Sequence, residues 1–550
     1  MNARKRVLID CLVLLVCLAS LSWACWNLPV GRADESGFIA RAAHIAHGDS
    51  FSTNTFFLFY AGLFRFVTSD PLLVHLFGRL AVSVLSTFAI YFVLRAFRPW
   101  LSDNAILVSS IIWTSTYLCF PFLQLGTISL FGYSLGIFGL GFILRGCTLP
   151  NFLLCEAFIF LGAQARKELW IPLLLFGAVF VLTMLLHPGK RSALLKSLKS
   201  PAVLILLVLF VALGAVFFFR KAETLSNSKH HSLLAFGQSY ARFVSQTEHR
   251  KDFDPMSEYL PILNERFNHP ESVLDAIKAH PGEVARFFVL NSLMNLRELP
   301  MCFFSTRDTG TQSSIFARPN ALLIALSLGL GGLLGLWSLR QADWPSWFRP
   351  VEGGPSLSER FLYLLLFAAT SGVAFIMVTY VSRHYIPLAP LAFLLLAWCW
   401  QQILSLALVR KIPAPALIFI VAVIFCRPGL APAQDWNADL RALREARPLL
   451  PAKPVIAGIN SAPFITYGLD GQGIEASPMS TPILSADALL RGDYDVFLLN
   501  GNLRGTSIWN KQQPQFEAFI AQPEKFGYHL WRDIRHGSCL IYLRQPKGAS

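Results

Sequence analysis

Apolar runs close to twenty residues long recur along the whole chain, and charged residues fall mainly in the connections between them. A run of that length matches the roughly 30 Å hydrocarbon thickness of a bilayer at about 1.5 Å of helix rise per residue. Spans are expected at 8–26, 72–94, 103–119, 124–144, 151–165, 168–187, 201–219, 320–339, 360–381, 386–405 and 412–426, about eleven in all. Two short spans meet at "ARKEL", residues 165–169. The fold class that follows is a polytopic α-helical membrane protein with a small C-terminal soluble α/β domain.

The connections test that topology. "RKR" at 4–6 precedes the first span. Alternate connections hold Arg95 and Arg98; Arg145; Lys190, Arg191, Lys196 and Lys199; Arg340 and Arg349; and Arg410 and Lys411. Basic residues collect on the cytoplasmic side of membrane proteins. The N-terminus is therefore expected in the cytoplasm, and an odd number of spans puts the C-terminus outside. Three larger segments, 27–71, 220–319 and 427–550, fall on the outer face. A cleaved leader ending at "SWAC" fits poorly at Ser22 and Trp23, and Trp23 and Trp26 read better as an interfacial anchor.

Composition agrees. Only 15% of residues are charged, against about 25% in soluble domains. The net charge of +14 is accounted for by basic cytoplasmic loops, and no compact basic module suggests nucleic acid. Six of the ten cysteines, Cys11, Cys17, Cys119, Cys147, Cys155 and Cys399, sit in or beside apolar runs, where cysteine behaves as a small hydrophobe. Cys302 and Cys539 fall in outer segments, with nothing in their spacing to argue for a bridge. No CxxC or HExxH spacing marks a metal site.

The outer segments have structure of their own. "HPESVLDAIKAHPGEVARFFVLNSLMNL" reads as amphipathic helices broken at Pro281. The histidine pair in "SKHHS", 228–232, reads as solvated. In the tail, "DWNADLRALREARPLL" reads as a helix, "KPVIAGI" and "DYDVFLLNG" as buried strands, and "YHLWRDIRHGSCLIYLR" as a terminal hairpin. "GLDGQG" at 468–473 lacks the following helix that a dinucleotide fingerprint needs. Inside the spans, glycines at 132, 136 and 139, and at 329, 331, 332 and 335, suit close helix packing.

The most pointed polar feature is "GRADESGFIARAAHIAHGD", 31–49, which follows the first span. Adjacent Asp34 and Glu35 cannot both face one bond as an acid and base pair. They open a helix whose apolar side carries Phe38, Ile39, Ala42 and Ala43, with Ile45 or Ala46. Such a helix lies along a membrane surface with its acidic end at the positive pole of its dipole. A simple acidic helix start is the plainer reading. His44 and His47, one turn apart, are candidate ligands for a divalent cation with Asp34 or Glu35, the alternative being ordinary solvated histidines.

A first span, then Asp-Glu, a surface helix running to "HGD", and a second span carrying "FGRLAVSVLS" resembles the membrane-embedded glycosyltransferases of the C type, or GT-C. That group includes the protein O-mannosyltransferases, the lipid A aminoarabinose transferases and the rhizobial lipopolysaccharide sugar transferases. "SRHYIPLAPLAFLLLAW", 382–398, is similar to the Arg-x-Tyr-x-x-Pro-x-x-Pro segment with which that group enters a late span. An external C-terminal α/β domain is shared too. The chain departs at "FSTNTFFLFYAGLFRF", where many members carry a Lys-Pro-Pro-Leu-like stretch.

The resemblance implies a transferase domain over 1–426 and a periplasmic domain over 427–550. It implies a polyprenyl-phosphate sugar as donor, and an envelope lipid, glycan or protein as acceptor, at the outer face of a bacterial inner membrane. Asp34 or Glu35 would serve as general base. Arg383 and Tyr385, with Arg166 and Lys167, would bind the donor phosphate, and Arg79 would support a first-loop carboxylate. A transporter or flippase of a lipid-linked glycan is the rival class, but no second copy of the first half is visible and the charges gather at one face. A non-catalytic envelope assembly protein is the third.

Overall fold

The computed structural model describes residues 3–25, 34–116, 118–119, 127–186, 196–220, 228–250, 255, 259–304, 319–339, 355–377, 382–426, 438–452, 454–457, 490, 494–500, 507–534 and 539–545. Every expected span is helical over most of its described length. In chain order these are α1 (Ala3–Cys25), the surface helix α2 (Asp34–His47), α3 (Thr55–Phe66), α4 (Pro71–Arg95), α5 (Asp103–Thr114), α6 (Thr127–Arg145), α7 (Leu149–Ala165), α8 (Trp170–Leu186) and α9 (Pro201–Arg220). The segment between the two groups of spans forms α10 (Ser228–Thr247), α11 (Tyr259–Phe267), α12 (Val273–Ala279) and α13 (Pro281–Phe304). The bundle resumes with α14 (Pro319–Leu339), α15 (Leu357–Ala368), α16 (Thr370–Met377), α17 (Ala389–Ser405) and α18 (Ala414–Cys426).

Four described stretches, Pro71–Arg95, Thr127–Arg145, Lys167–Leu186 and His384–Ser405, are long and apolar enough to cross a bilayer unaided. Leu174 and Leu185 of α8, Val208 of α9 and Leu333 of α14 are each more than half exposed. Apolar residues facing outward and polar ones at the ends invert the pattern of a water-soluble bundle. The chain is a multi-pass membrane protein.

Two spans differ from expectation. α5 has twelve residues, about 18 Å of helix, less than a bilayer core. Ala105 through Thr114 are all buried, because α1, α4, α17 and α18 surround α5 and leave it no lipid face. Span 360–381 is broken at Ala369 into α15 and α16. The Thr370 hydroxyl donates to the Phe367 carbonyl at 2.7 Å and the Ser371 hydroxyl to the His384 carbonyl at 2.7 Å. Such hydroxyls compete with helical backbone bonding.

Glycine sets the spacing of the central helices. A Cβ on Gly139 of α6 would lie 2.7 Å from the Cys155 carbonyl oxygen of α7, and one on Gly132 would lie 3.1 Å from the Gly162 carbonyl oxygen. Gly331 of α14 meets the Cys399 backbone of α17 in the same way, while Gly329 and Gly332 face open space.

In that segment, α12 ends at Ala279 and α13 begins at Pro281, as the sequence suggested. Phe236, Tyr240, Phe267 and Phe287 form their common core. The Tyr240 hydroxyl donates to Glu283, and burial together with that carboxylate pushes its pKa above the ordinary tyrosine value. "SKHHS" opens α10, with its side chains outside the described residues.

The tail folds as read. α19 (Ala438–Ala446) precedes a four-stranded sheet of order β1-β2-β4-β3, built from β1 (Ile456–Ala457), β2 (Val496–Asn500), β3 (Tyr528–Ile534) and β4 (Cys539–Arg544), with α20 (Ser507–Ala521) against it. β1 runs parallel to β2, and the other pairings are antiparallel. Phe497, Phe516, Phe519, Tyr528 and Tyr542 fill its core. Residues 468–473 lie outside the described residues.

Replacing Gly139 with Val should weaken the protein by about 1–3 kcal/mol, because a side chain there collides with backbone. Gly329→Ala should cost little. Thermal unfolding of the detergent-solubilised protein reads the difference, and equal losses would remove the close-packing account.

Candidate active site

α2 is clamped from three directions. Ile39, Ala42 and Ile45 are buried against α3 and α4. Phe38 meets Phe56 edge-on at 6.2 Å between ring centroids, and the Arg41 guanidinium lies 4.9 Å over the Phe57 ring. The apolar side expected from the sequence is the side that packs. At the C-terminal end, Arg65 of α3 donates from Nε to the Ala46 carbonyl at 2.9 Å and from Nη2 to the Ile45 carbonyl at 3.2 Å. Gly48 then takes φ +87°, and the Asp49 N–H returns to the His44 carbonyl at 2.9 Å. This is a left-handed helix stop, where glycine carries no Cβ penalty. The "HGD" stretch thus has a structural cause of its own.

Asp34 and Glu35 are the first two residues of α2, at its positive pole, and their side chains lie outside the described residues. His44 and His47 are exposed, and the His44 ring nitrogen sits 3.4 Å from the Asp49 carboxylate. No group of three or more His, Cys, Asp or Glu side chains capable of holding a metal occurs among the described residues. Arg79 is half-buried in α4, about 13 Å along the helix from its capped N-terminus. The carboxylates it was expected to support are those whose side chains are not described.

α3 leads to the second cluster. The Thr55 hydroxyl donates to the Leu161 carbonyl of α7 at 2.8 Å. Past the end of α7, Arg166 donates from Nη2 to Glu168 at 2.6 Å and lies 5.8 Å from the Tyr133 ring centroid. Burial pulls its pKa down, but Tyr133 and Glu168 outweigh burial, so the guanidinium stays charged. Its Nε has no hydrogen-bond partner among the described residues. Lys167 is exposed and opens a short 3₁₀ turn, Lys167–Leu169. The run "ARKEL" is therefore a junction between two separate helices.

That turn packs against α16, and α16 leads into a second 3₁₀ segment, Ser382–Leu388. Arg383 lies on this segment, with its side chain outside the described residues. Tyr385 is buried, and its hydroxyl donates to the Asn295 side-chain oxygen at 2.9 Å. Asn291, one turn earlier on α13, donates to the Ile376 carbonyl at 3.0 Å. The two asparagines tie α13 to Ile376 of α16 and to the side chain of Tyr385, two residues past Arg383. Tyr385 is thereby engaged in holding that segment. Two asparagines four apart in "FVLNSLMNL" were the available sign of this seam, which the sequence reading passed over.

The C-terminal unit docks at the same end of the bundle. Asp70 caps α4, accepting the Leu72 N–H at 2.8 Å. Its carboxylate also takes both arms of Arg444 from α19, at 3.0 and 2.8 Å. Burial raises the Asp70 pKa, but the Arg444 bonds and charge outweigh it and leave the pKa below the ordinary value of 3.8. Neither residue was singled out from the sequence, and none of its patterns links two positions so far apart.

No family model matches the sequence, and no curated protein matches it. Solved structures do. The chain is similar to ArnT from Cupriavidus metallidurans in the apo state, at 12% identity, over 98% of each chain, with a TM-score of 0.36. It is similar to the Archaeoglobus fulgidus oligosaccharyltransferase tethered with an acceptor peptide containing the NVT sequon, at 12% identity, over 91% of this chain and 69% of that one, with a TM-score of 0.43. The apo form of that oligosaccharyltransferase gives 13% identity, 88% and 69% coverage, and a TM-score of 0.41.

Arg444→Ala should release the C-terminal unit, seen as faster amide hydrogen exchange across α19. Asp70→Asn, which keeps the cap, should release it less. Because the Asp70 pKa is depressed on folding, the pairing contributes fully above its unfolded value of about 4 and fades as pH falls through the lower folded value. Exchange across α19 should therefore stay slow down to about pH 4 and rise below it. No change in either variant would dismiss this anchor.

Proposed function

We propose that the chain is a C-type membrane glycosyltransferase, moving a sugar from a polyprenyl-phosphate donor to a lipid, glycan or protein acceptor of the cell envelope. One observation carries the reading. α2, which opens with Asp34 and Glu35 and is clamped by Arg65 at its other end, lies at the bundle end that also holds the Arg166 turn and the segment bearing Arg383. A carboxylate and cations at one membrane surface suit displacement of a phosphate by a hydroxyl.

In this reading the Asp34 carboxylate, with Glu35 beside it, takes the proton of the acceptor hydroxyl. The freed oxygen attacks the anomeric carbon from the face opposite the phosphate. The bond from that carbon to the phosphate oxygen breaks, the phosphate leaves with the electron pair, and the sugar is inverted. Charge grows on the leaving phosphate, so guanidinium and ammonium groups that tighten there speed its departure. Arg383 and Arg166 are the residues for that role, and Lys167 is available beside them. Tyr385 positions the Arg383 segment through Asn295. Arg79 supports the α2 carboxylates, and any divalent cation would sit with them and His44 or His47. Residues 1–426 form the transferase part and 427–550 an outer cap. The protein would lie in a bacterial inner membrane with its N-terminus in the cytoplasm and its C-terminal unit in the periplasm.

The test is sugar transfer in membranes holding equal amounts of wild type, Asp34→Asn and Glu35→Gln. Mass spectrometry of lipopolysaccharide and lipid-linked sugars provides the readout. Loss of a general base should slow transfer by about 10²–10⁴-fold. Unchanged glycans in both variants would return "ADES" to a helix start and favour transport of a lipid-linked glycan or an assembly role.

A further inference from the structure

The far end of the bundle holds a second charged constellation. α4 runs from Asp70 to Arg95, so this end lies roughly 37 Å from the candidate active site, across the membrane. A cavity of about 860 Å³ opens there between α1, α4, α6 and α15. Arg95, Arg98, Arg145 and Arg360 line it, and among the described residues no carboxylate does.

The nearby carboxylates are already committed. Asp10 of α1 is fully buried, accepts the Tyr91 hydroxyl at 2.7 Å and pairs with Arg6 at 2.9 Å. Arg95 stands 3.9 Å from Asp10 and 3.7 Å from Asp103, and Arg98 stands 3.1 Å from Asp103. Three arginines thus share two carboxylates before Arg145 and Arg360 are counted. Arg145 lies over the Phe92 ring, 3.5 Å from its centroid. Arg360 is 4% exposed, lies 4.8 Å over the Trp100 ring and donates to the Pro355 carbonyl at 3.2 Å. Neither forms an ion pair with a described carboxylate. Aromatic faces hold these cations in place without neutralising them.

Between the arginines the cavity wall is largely apolar. Phe92 and Phe138 stack at 4.8 Å, and Phe88 joins them. A group with a negative head and a hydrocarbon body matches a ring of guanidinium groups above aromatic walls at the edge of a bilayer. Arginine is the side chain best shaped for phosphate oxygens.

We propose that this cavity binds the phosphate of an anionic amphiphile from the membrane leaflet on that side. The site is separate from the transferase reading and holds whether or not that reading does. It gives the excess positive charge a counterion and ties α1, α4, α6 and α15 together through the bound headgroup.

Native mass spectrometry of the purified full-length protein tests it, with phosphatidylglycerol and phosphatidylcholine as probes and inorganic phosphate as competitor. Wild type should retain phosphatidylglycerol preferentially. Arg145→Gln and Arg98→Gln should each cut retention about tenfold, the scale of one charge-assisted hydrogen bond. Arg98 is half-exposed, so its variant folds even if Arg145→Gln does not. Arg532→Gln, in the C-terminal unit, is the control and should change nothing. Displacement of phosphatidylglycerol by inorganic phosphate would show that the phosphate group alone suffices. Failure to displace it, with retention still arginine-dependent, would show that the lipid chains contribute. Equal retention of both lipids, no loss in Arg98→Gln, or equal loss in Arg532→Gln would overturn the proposal.

Discussion

Backbone polar groups cannot be left unpaired in hydrocarbon, so a chain that crosses a bilayer repeatedly must be helical wherever lipid touches it. Irregular backbone is then confined to the two ends of the bundle and to places walled by protein. In the described part of the helix bundle, the 3₁₀ segments Lys167–Leu169 and Ser382–Leu388 both occur at one end, packed among neighbouring helices. The polar chemistry follows the irregular backbone. Arg166 directly precedes the first of these segments, Arg383 lies on the second, and the carboxylates Asp34 and Glu35 lie where a helix begins. The bilayer thus selects the location of the candidate site before any side chain is considered.

The same constraint explains how the helices are held. Lipid tails are as apolar as leucine, so burying leucine between spans gains little, and close contact must do the work. Gly139 and Gly331 let backbones approach their neighbours directly. α5 is the extreme case, with its apolar residues facing other helices and Trp113 donating to Ser86 of α4 at 3.2 Å. Relieved of any lipid face, α5 needs no full span length.

Much of the fold was legible because its signals are local. Apolar run length located the spans, a short buried apolar run located β2, the terminal pair of strand-like runs located the β3–β4 hairpin, and Pro281 located the start of α13. The acidic start and apolar side of α2 could be read for the same reason. The rest was hidden in long-range pairings. Arg65 reads as one more interfacial arginine until α3 folds back and points it at the α2 carbonyls. Asp70 reads as a helix cap, and only the folded chain adds Arg444. The break at Ala369 depends on hydroxyls whose acceptors include the carbonyl of His384, which no hydropathy window weighs.

Charge is handled differently at the two ends, and the difference bears on function. At the end that holds the candidate site, Asp70 meets Arg444 in a bidentate pair and Glu168 meets Arg166. Those contacts fix helix ends and domain placement around the candidate site. At the other end, the described residues that line the cavity include four arginines and no carboxylate, and Arg145 and Arg360 rest on aromatic rings, which leaves positive potential facing the cavity. A balanced network resists movement, and an unbalanced one recruits a counterion. A catalytic carboxylate needs the first kind of surroundings, because its position relative to the anomeric carbon decides its rate. A lipid-filled seam needs only the second, because a mobile phosphate can satisfy several arginines in turn. Basic residues of the kind that set orientation during membrane insertion can thus remain uncompensated in the fold, as cations available for binding.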